Sequence, residues 1–170
     1  MRNFSLGATV LNCLVQGNNS YGIFVPYNAK IENNIVKKNL SHGIAGLEKC
    51  YIAGNTSVNN GGDGIQVGSE SMILNNTCSF NQLGGIACYN ATTNANRNYV
   101  EGNHVVTNGA AGILLFGCQN VMIKNTAIDN VFLNYQVLNP TQCVGTENRD
   151  GGQFTGTDLG SAGPFSNFSY

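Results

Sequence analysis

The sequence predicts an all-β chain wound as a single-stranded parallel β-helix, with about six 21-residue rungs of three short strands each and a C-terminal cap. Three observations carry this. Gly-Ile pairs stand at Gly22-Ile23, Gly43-Ile44, Gly64-Ile65 and Gly85-Ile86, each 21 residues after the last, and again at Gly112-Ile113, 27 residues on. A weaker copy follows at Asn134-Tyr135, 22 residues later. Within each repeat, apolar residues alternate with others over stretches too short for a helix, and Asn returns at two fixed offsets.

The first strand of each rung begins at the Gly column: Gly22, Gly43, Gly64, Gly85 and Gly112, replaced by Asn134 in the last copy. Glycine takes positive φ without penalty and Asn tolerates it next best, so this column is expected to mark a bend into the strand. Ile23, Ile44, Ile65, Ile86, Ile113 and Tyr135 then point inward, and Val25, Gly46, Val67, Cys88, Leu115 and Val137 do so two places on. The residues between them, Phe24, Ala45, Gln66, Ala87, Leu114 and Gln136, are expected to face out.

The second strand carries Val10, Ile31, Ile52, Ile73, Val100 and Met122, and the third carries Val15, Val36, Ser57, Cys78, Val105 and Ala127. Asn34, Asn55, Asn76, Asn103 and Asn125 follow the second strand, with Cys13 in the first copy; Asn18, Asn39, Asn60, Asn81, Asn108 and Asn130 follow the third. Stacked one above another, such amides donate to one neighbour and accept from the other, and each corner is expected to use the tolerance of Asn for the left-handed region. Each strand then pairs in parallel with its equivalent one turn away, and six turns make a rod of roughly 25–30 Å.

Two departures break the period. Asn90 to Asn98 hold six extra residues, expected to bulge from the corner between first and second strands. From Pro140 the register is lost, so residues 1–139 read as the helix and 140–170 as a capping segment, with Phe154, Phe165, Phe168 or Tyr170 covering the last turn.

The composition narrows the partners. Of 170 residues, 10% are charged against roughly 25% in ordinary soluble chains, and the net charge is −1. Eight scattered Lys and Arg form no basic stripe, so no nucleic-acid partner is expected. No apolar run approaches the roughly 18 residues of a spanning helix, so no membrane partner is expected either. The N-terminus lacks an apolar signal region, while repeat material begins almost at once; an upstream segment beyond this chain and an extracellular or cell-envelope setting are the favoured reading. Six cysteines show no metal-ligand spacing; buried thiols are expected, with Cys118 and Cys143 the first pair to test for a disulfide.

With these columns in place, the chain resembles the right-handed parallel β-helix proteins with pectate-lyase-like or NosD-like repeats. The Gly-Ile starts, the corners Ile31 to Asn34, Ile52 to Asn55 and Ile73 to Asn76, and the second Asn column carry the likeness, over about residues 8–139. The resemblance implies a right-handed coil and, in the family's enzymes, a carbohydrate cleft along the first strand. It does not imply one activity.

Glycoside hydrolysis in that cleft would need two opposed carboxylates. A lyase or epimerase would need acidic residues for Ca²⁺ or charge neutralisation and a base. The outward column is uncharged, and the paired-Asp, Asp-Pro-His-Glu and Asp-His motifs of those enzymes are absent from the sequence. The expected function is therefore a non-catalytic structural or interaction module, carbohydrate-binding and part of a larger secreted or surface protein, without a cofactor. The alternative is a polysaccharide lyase or epimerase with its site on the first-strand face, and only this alternative brings in Ca²⁺.

The candidate ligand contacts are His42, Asp63, Gln66, Tyr27 and Tyr89. His42 and Asp63 share the column before the Gly with Tyr21, one strand spacing apart, so they can form an acid–base pair, a sugar contact or a plain solvated turn pair. Tyr27, Tyr89 and Phe116 at the far edge of the strand can stack on sugar rings or pack an interface. The apolar outward column, through Phe24, Leu114 and Phe116, could also serve self-association, as could an open N-terminal end. His104 sits on another face and reads as a surface residue.

Overall fold

A computed structural model describes residues 7–89, 95–138, 149–150, 153–155 and 167–169. The described chain is all β, coiled into three parallel sheets. The first sheet stacks Ile23–Tyr27, Ile44–Glu48, Ile65–Ser69, Ile86–Cys88, Ile113–Phe116 and Tyr135–Leu138. The second runs from Thr9–Leu11 through Tyr51–Ala53 to Val121–Ile123 and Arg149–Asp150, and the third from Leu14–Gln16 through Thr77–Ser79 to Thr126–Ile128 and Asn167–Ser169. Register follows the repeat: Ile23 pairs with Ile44, Ile44 with Ile65, and Ile65 with Ile86. Ile73 pairs with Val100 across the longer repeat, so the six extra residues leave the ladder intact. Residues 90–94 of that insertion lie outside the described residues.

In the three-residue strands of the second and third sheets, the central side chain points into the coil. Ile31, Ile52, Ile73, Val100 and Met122 form one wall of the core, Val36, Ser57, Cys78, Val105 and Ala127 a second, and the Ile column with Val25, Val67, Cys88 and Leu115 the third. Each fully buried Ile contributes about 1.5–3 kcal/mol. Ser57 keeps its hydroxyl satisfied there by donating to the Gly64 carbonyl at 2.7 Å.

The Gly column is needed for a reason other than the expected one. None of Gly22, Gly43, Gly64, Gly85 or Gly112 has positive φ. A Cβ at Gly85 would instead lie 2.1 Å from Val105 Cγ1, and one at Gly43 2.1 Å from Ser57 Oγ. The chain enters the first sheet pressed against the third, and only hydrogen fits.

The left-handed conformation falls one residue before each ladder position, not on the ladder Asn. Asn33, Asn75 and Lys124 precede one ladder with φ of 56°, 53° and 54°; Lys38, Asn59, Phe80 and Thr107 precede the other with φ of 53–55°. Lys, Phe and Thr in this region cost about 1–2 kcal/mol each, a strain the stacked corners hold in place.

The ladders themselves form as expected. Asn55 Nδ2 donates to Asn76 Oδ1 at 3.0 Å and to the Ile31 carbonyl at 2.9 Å, while the Asn55 backbone N–H donates to the same Asn76 oxygen at 2.9 Å. The pattern runs from Cys13 to Asn125 and on to Asn167. The second ladder runs from Asn18 to Asn130 and ends on Asn134 Oδ1. A third, shorter ladder occupies the corner between first and second sheets: the Cys50 N–H donates to Ser71 Oγ, Ser71 N–H to Asn98 Oδ1, and Asn98 N–H to Asn120 Oδ1. No buried side-chain nitrogen or oxygen among the described residues lacks a partner.

Within residues 140–170, Arg149–Asp150 extends the second sheet, Asn167–Ser169 extends the third, and Gln153–Thr155 pairs outside it. The side chains of Phe154, Phe165, Phe168 and Tyr170, expected to cover the last turn, lie outside the described residues. Cys50, Cys78 and Cys88 are buried thiols and Cys13 is an exposed one. Cys118 departs from the expected thiol and is disulfide-bonded; Cys143 lies outside the described residues.

Candidate functional site

The outward face of the first sheet is a groove with a floor and two walls. Ala45 and Ala87, expected to be exposed, are 5% and 3% accessible, because Phe24, Gln66 and Leu114 on adjacent rungs rise on either side of them. This alternation of small and large side chains along the axis makes depressions in an otherwise flat sheet. The larger holds about 410 Å³ and is lined by His42, Asp63, Gln66, Leu83, Ala87, Tyr89, Leu114, Phe132 and Gln136, among others. A second, of about 160 Å³, continues toward Tyr21, Phe24, Ala45 and Leu47, and the two share Gln66 and Tyr89.

One wall comes from the corner between the third and first sheets. There the repeat places Tyr21, His42, Asp63 and Gly84 in one column. Asp63 Oδ1 accepts the Gly84 N–H at 2.7 Å. The Asp63 N–H donates to His42 Nδ1 at 2.9 Å, and Asp63 Oδ2 lies 3.2 Å from the same nitrogen. These last two contacts compete, because Nδ1 can accept the amide proton or carry a proton toward the carboxylate, but not both. The backbone donor is fixed and closer, so it holds Nδ1 as an acceptor and leaves the proton on Nε2. The imidazole stacks on Tyr21, with ring centroids 5.6 Å apart and planes 17° apart, and Tyr21 leans on Phe24 at 5.3 Å.

The far wall carries Tyr89, held edge-on against Phe116 at 5.6 Å. Gln66 and Gln136 on the floor make no side-chain hydrogen bond among the described residues, so both amides are available to a ligand. They stand three rungs apart, about 14 Å at the strand spacing.

Four of the five expected contacts, His42, Asp63, Gln66 and Tyr89, thus line one groove. Tyr27 does not line either depression; it ends its strand beside Glu48. His104 is exposed on the third sheet. The wall residues Leu83, Ala110, Ala111 and Phe132 were not expected from the sequence. Their signal was the shift of the third corner from polar in Asn18 to Tyr21 to apolar in Val131-Phe132-Leu133.

Charge gathers on the second sheet and its corners instead. Glu70 pairs with Arg97 and lies 3.6 Å from Lys49, and Glu101 pairs with Lys124 at 2.9 Å. The Arg97 and Lys124 hydrogen bonds hold the two carboxyls below the usual range. Among the described residues no group of three or more His, Cys, Asp or Glu is placed to hold a metal ion.

Residues 2–149 match the family model for the right-handed beta helix region, and the chain belongs to this family. Among solved structures it is similar to the periplasmic alginate epimerase AlgG, with 18% identity and a TM-score of 0.67 over 96% of this chain and 46% of that one. The T265N mutant of AlgG gives 19% identity and a TM-score of 0.73, covering 98% and 45% of the two chains. The A-module of the Azotobacter vinelandii mannuronan C-5 epimerase AlgE6 gives 16% identity and 0.60, covering 97% and 58%. The chain therefore spans about half the length of these structures, and identities this low establish the shared fold. No curated protein shows significant sequence similarity to the chain.

Proposed function

We propose that this chain is a non-catalytic, polysaccharide-binding β-helix module of an extracellular or cell-envelope protein, and that the first-sheet groove holds the glycan. The observation that carries this reading is the groove's combination of an aromatic rim (Tyr89, Phe132) with two unengaged amides (Gln66, Gln136). Aromatic faces pack on the apolar side of a sugar ring, and an amide offers a hydroxyl both a donor and an acceptor. The likeness in fold to an alginate epimerase and a mannuronan C-5 epimerase supports a carbohydrate ligand.

The same geometry weighs against catalysis. Among the described residues one carboxylate lines the groove, where glycoside hydrolysis uses two. A histidine base would need a free Nε2 lone pair, and the Asp63 amide keeps the proton on that nitrogen. Ca²⁺, the cofactor of the enzymatic alternative, would have Asp63 as its one carboxylate among the described groove residues.

Affinity electrophoresis against a panel of polysaccharides tests the reading. At least one glycan should retard the protein, and Tyr89→Ala or Gln66→Ala should weaken that retardation about tenfold, the loss of roughly 1.4 kcal/mol. Retardation unchanged in both variants would remove the groove as the site. Turnover of a polyuronate, with or without Ca²⁺, that is lost in His42→Ala would replace this reading with the enzymatic one. Self-association through Phe24, Leu114 and Phe116 is the other use of this face, and light scattering at high concentration reads it directly.

A further inference from the structure

We infer that the groove selects neutral, hydroxyl-rich glycans and rejects uronate chains, with Asp63 and Gln66 determining the choice; this rests on the polysaccharide-binding reading above. The recognition groups available, Gln66, Gln136 and His42 Nε2–H, are those that pair with hydroxyls. Among the described residues lining both depressions, no Lys or Arg is present to meet a carboxylate. Asp63 adds the repulsive element. Its side chain is 12% accessible, and one oxygen accepts the Gly84 N–H while the other faces His42.

The Asp63 N–H donates to Nδ1 of His42, and no Lys or Arg among the described lining residues offsets the Asp63 carboxylate. Its field acts in a groove walled by Leu83, Ala87, Leu114 and Phe132, where water screens it less than on an open surface. A uronate chain lying along the axis would bring a carboxylate to this wall and leave it unpaired. Discrimination by an uncompensated charge of this kind is specificity through repulsion. Among the described residues, Lys30, Lys49, Arg97 and Lys124 belong to the second sheet and its corners, away from the groove.

The test is affinity of the full chain for a galactomannan and a β-glucan against alginate and polygalacturonate, at low ionic strength. The wild type should bind a neutral polymer at least tenfold more tightly than either polyuronate. Asp63→Asn keeps an oxygen for the Gly84 N–H and should raise polyuronate affinity severalfold relative to the neutral polymer. Gln66→Lys leaves Asp63 and its contacts intact, adds a cation to the floor, and should shift the ratio in the same direction, which keeps the inference testable if the first variant folds poorly. Polyuronate binding by the wild type equal to or tighter than neutral binding overturns the selectivity and leaves carbohydrate binding standing. Binding of no polysaccharide of either class overturns both.

Discussion

At the residue scale, the repeat is enforced by contacts less than a van der Waals radius too short for any side chain but hydrogen. Gly85 shows this best, with Val105 Cγ1, the Gly112 carbonyl and Asn108 Nδ2 all within 2.9 Å of a built Cβ. Gly85→Ala should cost about 2–3 kcal/mol through overpacking, read as a lower urea midpoint. Gly17 has φ of 70° and meets nothing among the described residues within 4 Å, so Gly17→Ala should cost only the dihedral strain of about 1 kcal/mol. Equal losses in the two variants would mean that steric fit is not the reason for the Gly column. Cysteines give a second prediction. Burial pushes the Cys88 thiol up to about 12 and raises Cys78 and Cys50 as well. The thiolate is the reactive form, so at pH 8 an alkylating reagent should label Cys13 rapidly and the other three only after unfolding.

At the element scale, the strands are too short to hold themselves, and the Asn ladders fix the corners between them. Asn76 accepts from the backbone and side chain of Asn55 and donates to the Ile52 carbonyl and to Asn103. Asn76→Ala leaves buried donors and an acceptor unmatched, at about 1–3 kcal/mol per group. It should therefore destabilise by more than 3 kcal/mol. Asn18→Ala, at the exposed start of its ladder, should cost under about 1 kcal/mol because water replaces what is lost. Thermal unfolding of both variants checks the gradient, and equal Tm losses would contradict it.

This is also the scale at which the sequence was most legible. Ile and Asn columns at period 21 reported directly which side chains stack, because stacking requires like residues above one another. Conformation was less legible. A Gly column announces that something forbids a Cβ without saying whether φ or a neighbour does so. The left-handed corners, filled by Lys38, Phe80, Thr107 and Asp129, carry no consistent residue type. The third ladder was hidden for the same reason, since Ala29, Cys50, Ser71, Asn98 and Asn120 share a position and little chemistry.

At the scale of the whole molecule, the three faces differ in what they offer. Among the described residues, the second sheet and its corners hold ion pairs and a more open hollow of about 470 Å³ lined by Lys30, Glu32, Lys49 and Tyr51, and the third is short-stranded and largely uncharged, while the first combines apolar depressions with aromatic rims and unengaged amides. The column positions of His42, Asp63 and Gln66 could be read from the repeat, but the groove could not. Its depth comes from Ala45 and Ala87 lying beneath larger neighbours, and from a wall contributed by residues up to 90 positions apart in sequence, His42 and Phe132. Hydrogen exchange of the protein with and without a bound neutral oligosaccharide tests the assignment of this face most directly. Added protection should be confined to the first sheet and the corner before it, at residues 63–68, 84–89 and 111–116, and should be lost in Tyr89→Ala. Protection centred on the second or third sheet, with the first unchanged, would contradict it.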